Sequence, residues 1–245
     1  QKYQSKIIHY LLILPHEMSP FPDSLYIFNP ANPFPLLPEE ALFSQRSKHH
    51  AKDADKFLGF EIEKIEAEVR KERHGEALAS FETWAHLDPQ IFLTPYLELR
   101  FILEKLPLNK GDTLVDLGCA YARLPFILSD LFKNSVHFIG YDCVPHRIAE
   151  SKRVSELHGI TTTLSTENIC AESFRLPKAQ HFFIYDTGTT SDVEKLLEKL
   201  RAFTSAAPYK SLVTRGARVR QIIEQKHPWL GDAAEKNQNF SIYLF

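Results

Sequence analysis

Thr113-Leu114-Val115-Asp116-Leu117-Gly118-Cys119-Ala120-Tyr121-Ala122-Arg123 is the stretch on which the reading of this chain turns. Thr113 to Leu117 is apolar apart from Asp116 and short enough for a buried strand. Gly118 marks a turn, and the apolar spacing from Tyr121 to Phe132 predicts a helix. A strand, a tight turn and a helix in that order form the opening unit of a strand-helix sheet.

Downstream the same rhythm repeats. Strands are expected over Val136–Tyr141, Thr161–Leu164, His181–Tyr185, Ser211–Thr214 and Phe240–Phe245, with helices over Pro145–His158, Asp192–Phe203 and Ala217–Lys226 between them. Such alternation specifies an α/β fold with a doubly wound, mostly parallel sheet covered by helices on both faces, joined by right-handed crossovers.

Upstream the character changes. A helix is expected from Thr94 or Pro95 to Leu106, with Thr94 as N-cap and Pro95 in the first turn, and its nearly encircling apolar residues predict burial. Ala51 to Arg73 reads as one amphipathic helix with Phe57, Phe60, Ile62, Ile65 and Val69 along a stripe and its many charges on a solvated face. Between Pro15 and Pro38, seven prolines interleave with Phe21, Tyr26, Phe28 and Phe34. Prolines exclude a helix there, and the aromatics need a surface, so this stretch is expected to be an extended arm packed on the domain. The chain thus divides into an appendage over residues 1–92 and a main domain over 93–245.

The 245 residues carry a formal net charge of -2, so no global basic field draws nucleic acid by counterion release, and a nucleic-acid partner is not expected. Cys119, Cys143 and Cys170 are odd in number and form no C-x-x-C pair, which points to a reducing, cytoplasmic setting. The apolar run Ile7–Leu14 stops at Pro15, short of the roughly 20 residues a membrane helix requires, so no span is expected. His49-His50 has no partner ligands at metal spacing, and no metal site is expected.

Open parallel sheets take ligands outside the carboxyl ends of their central strands, at the first strand-to-helix turn. A dinucleotide fingerprint needs three glycines there, and only Gly118 is present, so a pyrophosphate cradle and a nicotinamide-dependent oxidoreductase fit poorly. An acid ends the first expected strand, Asp116, and another follows the second, in Phe138-Ile139-Gly140-Tyr141-Asp142. Taken singly, each acid could equally cap a turn or the following helix.

With this pair of acids in a full strand-helix series, the chain from about Leu93 to Phe245 resembles the class I S-adenosylmethionine-dependent methyltransferases. The resemblance implies a Rossmann-like methyltransferase sheet with S-adenosylmethionine as cofactor. It assigns the ribose hydroxyls to Asp142 and the methionine part to Asp116 and the backbone near Gly118, with Cys119, Ala120 and Cys143 lining the pocket and Asn168 near the adenine amine. Tyr185 and Asp186, after the fourth strand, fall on the side of the methyl acceptor, as does the segment Trp84–Tyr96, which forms either an entry lid or an aromatic packing of the linker onto the core. Arg215, Arg218 and Arg220 form either a basic rim for an acidic substrate or a solvated helix face.

Two departures from the family pattern stand out. Ala120 and Ala122 occupy positions where the family prefers glycine, and Asp186-Thr187-Gly188-Thr189 is not the Asn-Pro-Pro-Tyr type of fourth motif. The expected function is a methyltransferase acting on a protein side chain or a small molecule; the competing one is a degenerate domain that keeps the fold as a binding or scaffold module.

Overall fold

A computed structural model describes residues 21–42, 44–72, 87–206 and 209–245 of the chain. Its centre is a seven-stranded sheet in the order β3-β2-β1-β4-β5-β7-β6. The strands are β1 (Thr113–Leu117), β2 (His137–Asp142), β3 (Thr163–Thr166), β4 (His181–Tyr185), β5 (Ser211–Arg215), β6 (Glu235–Lys236) and β7 (Phe240–Leu244). The first five are mutually parallel, and β7 runs antiparallel to β5 and β6. This is the doubly wound, mostly parallel sheet expected from the sequence. β3 starts two residues later than expected, and the two-residue edge strand β6 is too short to leave a period-2 signature.

Because successive side chains of a strand point to opposite faces, the strands split their apolar residues between two cores. Leu114, Phe138, Phe183, Val213 and Ile242 join one core, Val115, Leu117, Phe182, Ile184 and Leu212 the other. The second is closed by α7 (Thr190–Ala206) and α8 (Ala217–Lys226), which contribute Leu196, Leu200, Val219 and Ile223. The first is closed by α5 (Leu124–Phe132) and α6 (Pro145–Leu157), together with helices from the N-terminal part of the chain.

Those N-terminal helices are α1 (Gln45–Leu58), α2 (Ile62–Glu72), the single turn α3 (Pro89–Phe92) and α4 (Tyr96–Lys105). The one helix expected over 51–73 is therefore two. Gly59 takes a left-handed conformation with φ of 87° and its N–H closes on the carbonyls of Asp55 and Lys56, which ends α1. The break leaves Phe57 half-exposed while Phe60, Ile62 and Val69 remain in the interior. α4 begins one residue later than expected: Pro95, in an extended conformation with ψ of 146°, is its N-cap, and Thr94 supplies no cap. α5 likewise starts at Leu124 rather than Tyr121, because the residues before it form a left-handed turn.

The arm is described from Phe21. Tyr26 donates its hydroxyl to the Ala41 carbonyl at 2.7 Å, and Phe34 stacks on Tyr96 with ring centroids 5.0 Å apart. As expected of its aromatics, it lies on the body of the protein, around Leu42 and Leu97.

Three buried arginine-carboxylate pairs join the N-terminal helices to the carboxyl edge of the sheet. Asp55 of α1 pairs with Arg123, in the turn after β1; Glu66 of α2 pairs with Arg147, at the start of α6; Glu98 of α4 pairs with Arg215, the last residue of β5. All three are two-pronged: Arg123 reaches both carboxyl oxygens of Asp55, and the other two pairs have contacts of 2.7 and 3.0 Å each. Removing one member of such a pair strands a charge in the interior. Glu66→Ala is expected to lower the unfolding free energy by about 3–5 kcal/mol in a denaturant titration. Glu63→Ala, which breaks only a solvent-exposed pair with Lys52, should cost less than about 1 kcal/mol. Equal losses would show that the buried pair carries no special weight.

Candidate functional site

The carboxyl edge of β1 and β2 is built by one turn. β1 and β2 align so that Asp116 lies beside Gly140 and Leu117 beside Tyr141. Beyond them the N–H groups of Gly118 and Cys119 both donate to the Tyr141 carbonyl, at 2.9 and 2.8 Å. Gly118 has φ of 99°, a conformation that favours glycine, and a Cβ there would sit 3.4 Å from the Thr187 hydroxyl.

Ala120 and Ala122 both have φ of 46°, so the glycine-type backbone is kept although the glycines are not. Left-handed backbone costs an L-residue about 1–2 kcal/mol, and contacts around the turn must hold it. Ala120 donates its N–H to Asp142 at 3.0 Å and accepts from the Ser151 hydroxyl at 3.3 Å; Ala122 donates to the Cys119 carbonyl at 2.7 Å. Between them Tyr121, fully buried, donates its hydroxyl to Glu66 at 2.8 Å.

Asp142 has a double task. Its Oδ2 accepts from Ala120, and its Oδ1 from the Val144 N–H at 2.8 Å, so it holds the first turn and also the turn that leads into α6. It is not the N-cap weighed on sequence grounds: that position is Val144, which has no side-chain cap.

Asp116 is different. It is 7% exposed, and among the described residues no donor reaches its carboxyl. Burial, with the negative charge of Asp142 second, raises its pKa to about 8. The Cys119 thiol, pushed up by burial and by the same two acids, packs where only Gly140 leaves room: a Cβ on Gly140 would approach Cys119 Sγ to 2.8 Å. Cys143 packs against Val69 of α2 together with Val144.

The remaining expected residues sit further out. Asn168 is exposed and accepts from the Cys170 N–H at 3.0 Å in a local turn; its neighbour Glu167 donates its N–H to the Asp142 carbonyl at 2.9 Å, bringing the loop after β3 beside the acid. Tyr185 donates its hydroxyl to the Ile91 carbonyl at 3.2 Å and lies under the Arg215 guanidinium, 4.3 Å from its ring centre. The Asp186 Oδ1 accepts from the Val219 N–H at 2.8 Å, which caps α8; burial raises its pKa. The cap works because residue 216 is glycine: a Cβ there would collide with the Asp186 carboxyl.

Of the three arginines at and after the end of β5, none forms a free basic rim. Arg215 is held by Glu98, Arg218 donates to the Asp186 carbonyl at 2.8 Å and Arg220 to the Phe240 carbonyl at 3.1 Å. Trp84 to His86 lie outside the described residues. The rest of that segment, around α3, packs against two of the paired arginines: Gln90 accepts from Arg123 at 3.1 Å, and Arg147 lies over the Phe92 ring at 4.8 Å. Among the described residues there is no cluster of ligands for a metal ion, and no helix is long and apolar enough to cross a membrane.

Reasoning from sequence missed Asp55, Glu66 and Glu98, which hold the arginines around the site. The signal was present for two of them. Ile62, Glu66 and Val69 follow the i, i+4, i+7 spacing of a buried face, as do Ala51, Asp55 and Leu58, so each acid lies on the apolar stripe and not opposite it.

Fold and edge together define a Rossmann-like domain with an acid at the end of each of two neighbouring central strands. No family model and no curated protein matches this chain. Solved structures similar to it include TrmN from Thermus thermophilus, at 11% identity and a TM-score of 0.48 over 62% of this chain and 49% of that one. They also include an RNA methyltransferase from Salinibacter ruber in complex with S-adenosyl-L-homocysteine, at 13% identity and a TM-score of 0.47 over 62% and 92% of the two chains. A SAM-dependent methyltransferase from Aquifex aeolicus matches at 13% identity with a TM-score of 0.46 over 73% and 96%. The aligned part spans about half the length of TrmN.

The strain in the turn is measurable. Ala122→Gly is expected to leave the unfolding free energy unchanged or to raise it by about 1 kcal/mol, since relief of the left-handed backbone outweighs the added chain entropy. Ala54→Gly, inside α1, should lose about 1 kcal/mol or more. Similar losses at both positions would exclude strain at Ala122.

Proposed function

We propose that the chain is an S-adenosylmethionine-dependent methyltransferase, with residues 93–245 as the cofactor-binding domain and residues 1–92 as an appendage whose described helices pack into the same core. The observation that carries this reading is the pair of buried acids at the ends of β1 and β2, of which Asp116 has no donor of its own among the described residues. An unmatched buried carboxyl beside a second acid suits a ligand with a positively charged end, and a dinucleotide phosphate would be repelled there.

In this reading Asp116 pairs with the ammonium of the methionine part, and the Asp142 carboxylate receives the ribose hydroxyls. The backbone of Gly118, Cys119 and Ala120 lines the crevice, Cys143 flanks it, and Asn168 faces the adenine amine. The cofactor, when bound, supplies an activated methyl group on a sulfonium. Transfer by in-line displacement gains most from holding the acceptor close and dry. Tyr185 and Asp186 stand at the carboxyl end of β4, where they would wall and orient the acceptor. Asp186 already commits one oxygen to α8, which makes positioning its main role and proton uptake a secondary one.

Exposed Ile27 and Leu36 on the arm offer surface to a bulky acceptor. A net charge of -2 argues against nonspecific attraction to nucleic acid but leaves a specific RNA acceptor open, so protein and RNA panels should precede small molecules. The second reading, a binding module without turnover, draws on the alanines at φ of 46° in the cofactor turn.

Calorimetric titration with S-adenosylmethionine and S-adenosylhomocysteine, with NAD as control, separates the two. Micromolar affinity for the first two and none for NAD is expected. Asp142→Asn, which keeps one acceptor oxygen for the Ala120 and Val144 N–H groups in place of two, should bind at least about 10-fold more weakly, the worth of a hydrogen bond to a charged group. No binding at millimolar ligand would reject the enzyme, whereas binding with no methyl transfer to any panel would favour the module.

A further inference from the structure

The two acids of the site lie close enough to interact, yet their surroundings are unequal. Asp142 is met by two backbone N–H groups, from Ala120 and Val144, and each favours its ionised form. Asp116 is met by none among the described residues, although it is just as deeply buried. Two interacting carboxylates in a low-dielectric site cannot both ionise cheaply, and the one without donors keeps the proton.

The other neighbours of Asp116 do not reverse this. From β4 it faces Phe183 across the ladder, and from β2 it faces Gly140. In the turn stands the Cys119 thiol, itself held protonated by burial, and the positive charge of Arg147 from α6 acts on that thiol while being paired with Glu66. Among the described residues, Asp142 is the charge that acts on Asp116.

We infer that the free protein carries a proton on the Asp116 carboxyl, and that a ligand with an ammonium group expels this proton to solvent as the two form an ion pair. Asp116 thereby selects ligands by positive charge: a neutral ligand leaves the acid protonated and gains no ion pair. The exchange balances, because the carboxylic acid and the ammonium become a carboxylate-ammonium pair and one proton passes to the buffer. The inference rests on the cofactor reading above and adds the proton to it.

The test compares S-adenosylhomocysteine with 5′-methylthioadenosine, the same nucleoside thioether without the amino-acid group. Titration of the full chain in two buffers of different ionisation heat gives the protons released per ligand. For S-adenosylhomocysteine, release near one proton is expected at pH 6.5, with Kd falling about tenfold per pH unit from pH 6 to 7.5. Methylthioadenosine should release none, and its Kd should stay flat. Asp116→Asn, nearly isosteric, should abolish both the release and the pH dependence; the wild-type comparison of the two ligands stands without it.

S-adenosylhomocysteine binding with no proton release would overturn the inference and leave the cofactor reading intact. Failure of S-adenosylhomocysteine to bind at any pH would overturn both. A measurement on the free protein is independent of ligand. The carboxyl carbon resonance of Asp116 should titrate near pH 8. Because the proton is bound in the folded state and lost from the unfolded one above about pH 4, wild-type stability relative to Asp116→Asn should fall as the pH rises from about 4 through 8. Titration of Asp116 near 4, the range of an ordinary aspartate, overturns the inference outright.

Discussion

Buried pairing of arginine with carboxylate is the constraint on which the rest of this structure depends. Asp55, Glu66 and Glu98 come from three helices that precede the sheet in the chain, and Arg123, Arg147 and Arg215 come from the carboxyl ends of three strand-helix units. Pairs of this kind gain little net stability, because desolvation offsets most of the attraction. What they do gain is geometry. A guanidinium offers donors in a rigid fork, so a two-pronged contact fixes direction as well as distance. The N-terminal helices are thereby set against the turns that shape the crevice, in a way that apolar packing alone, which tolerates sliding, would not enforce.

This arrangement explains how a turn built with alanines keeps a backbone suited to glycine. Ala120 and Ala122 would leave the left-handed region if they were free to do so. Tyr121, lying between them, is tied to Glu66, which Arg147 holds; Arg123, on the far side, is tied to Asp55. Asp142 anchors the Ala120 N–H from the second strand. The strain at two residues is thus opposed by contacts to α1, α2, β2 and α6, and the appendage becomes part of the machinery that holds the site open.

The layout of the sheet was legible in the sequence because its strands and helices differ in period and are separated by clear turn residues; His181–Tyr185 and Ala217–Lys226 match residue for residue. The break at Gly59 was not, since the apolar stripe continues in phase on both sides of it and only the left-handed backbone reveals the stop. The two acids of the site were legible as a pair because strand ends in a parallel sheet lie side by side. Their difference was not: which of them meets backbone donors depends on the path of the turn, and a one-dimensional pattern carries no record of that path. The acids that hold the arginines look like a solvated surface in the sequence, because a charged residue on an apolar stripe signals burial only when its distant partner is known.

The same asymmetry explains why the pair is better suited to ligand binding than two equivalent acids would be. Had both carboxyls been capped by backbone, both would stay ionised near neutrality and their repulsion would load the folded state there. Had neither been capped, the crevice would carry no fixed charge near neutrality. With Asp142 committed to the scaffold and Asp116 left unmatched, the free protein avoids the repulsion by retaining a proton, and a latent negative charge remains at the carboxyl end of β1. The division of labour rests on the path of two loops: the turn after β1 folds back over β2 so that the Ala120 N–H reaches Asp142, the loop after β2 adds the Val144 N–H, and among the described residues neither loop turns a donor toward Asp116.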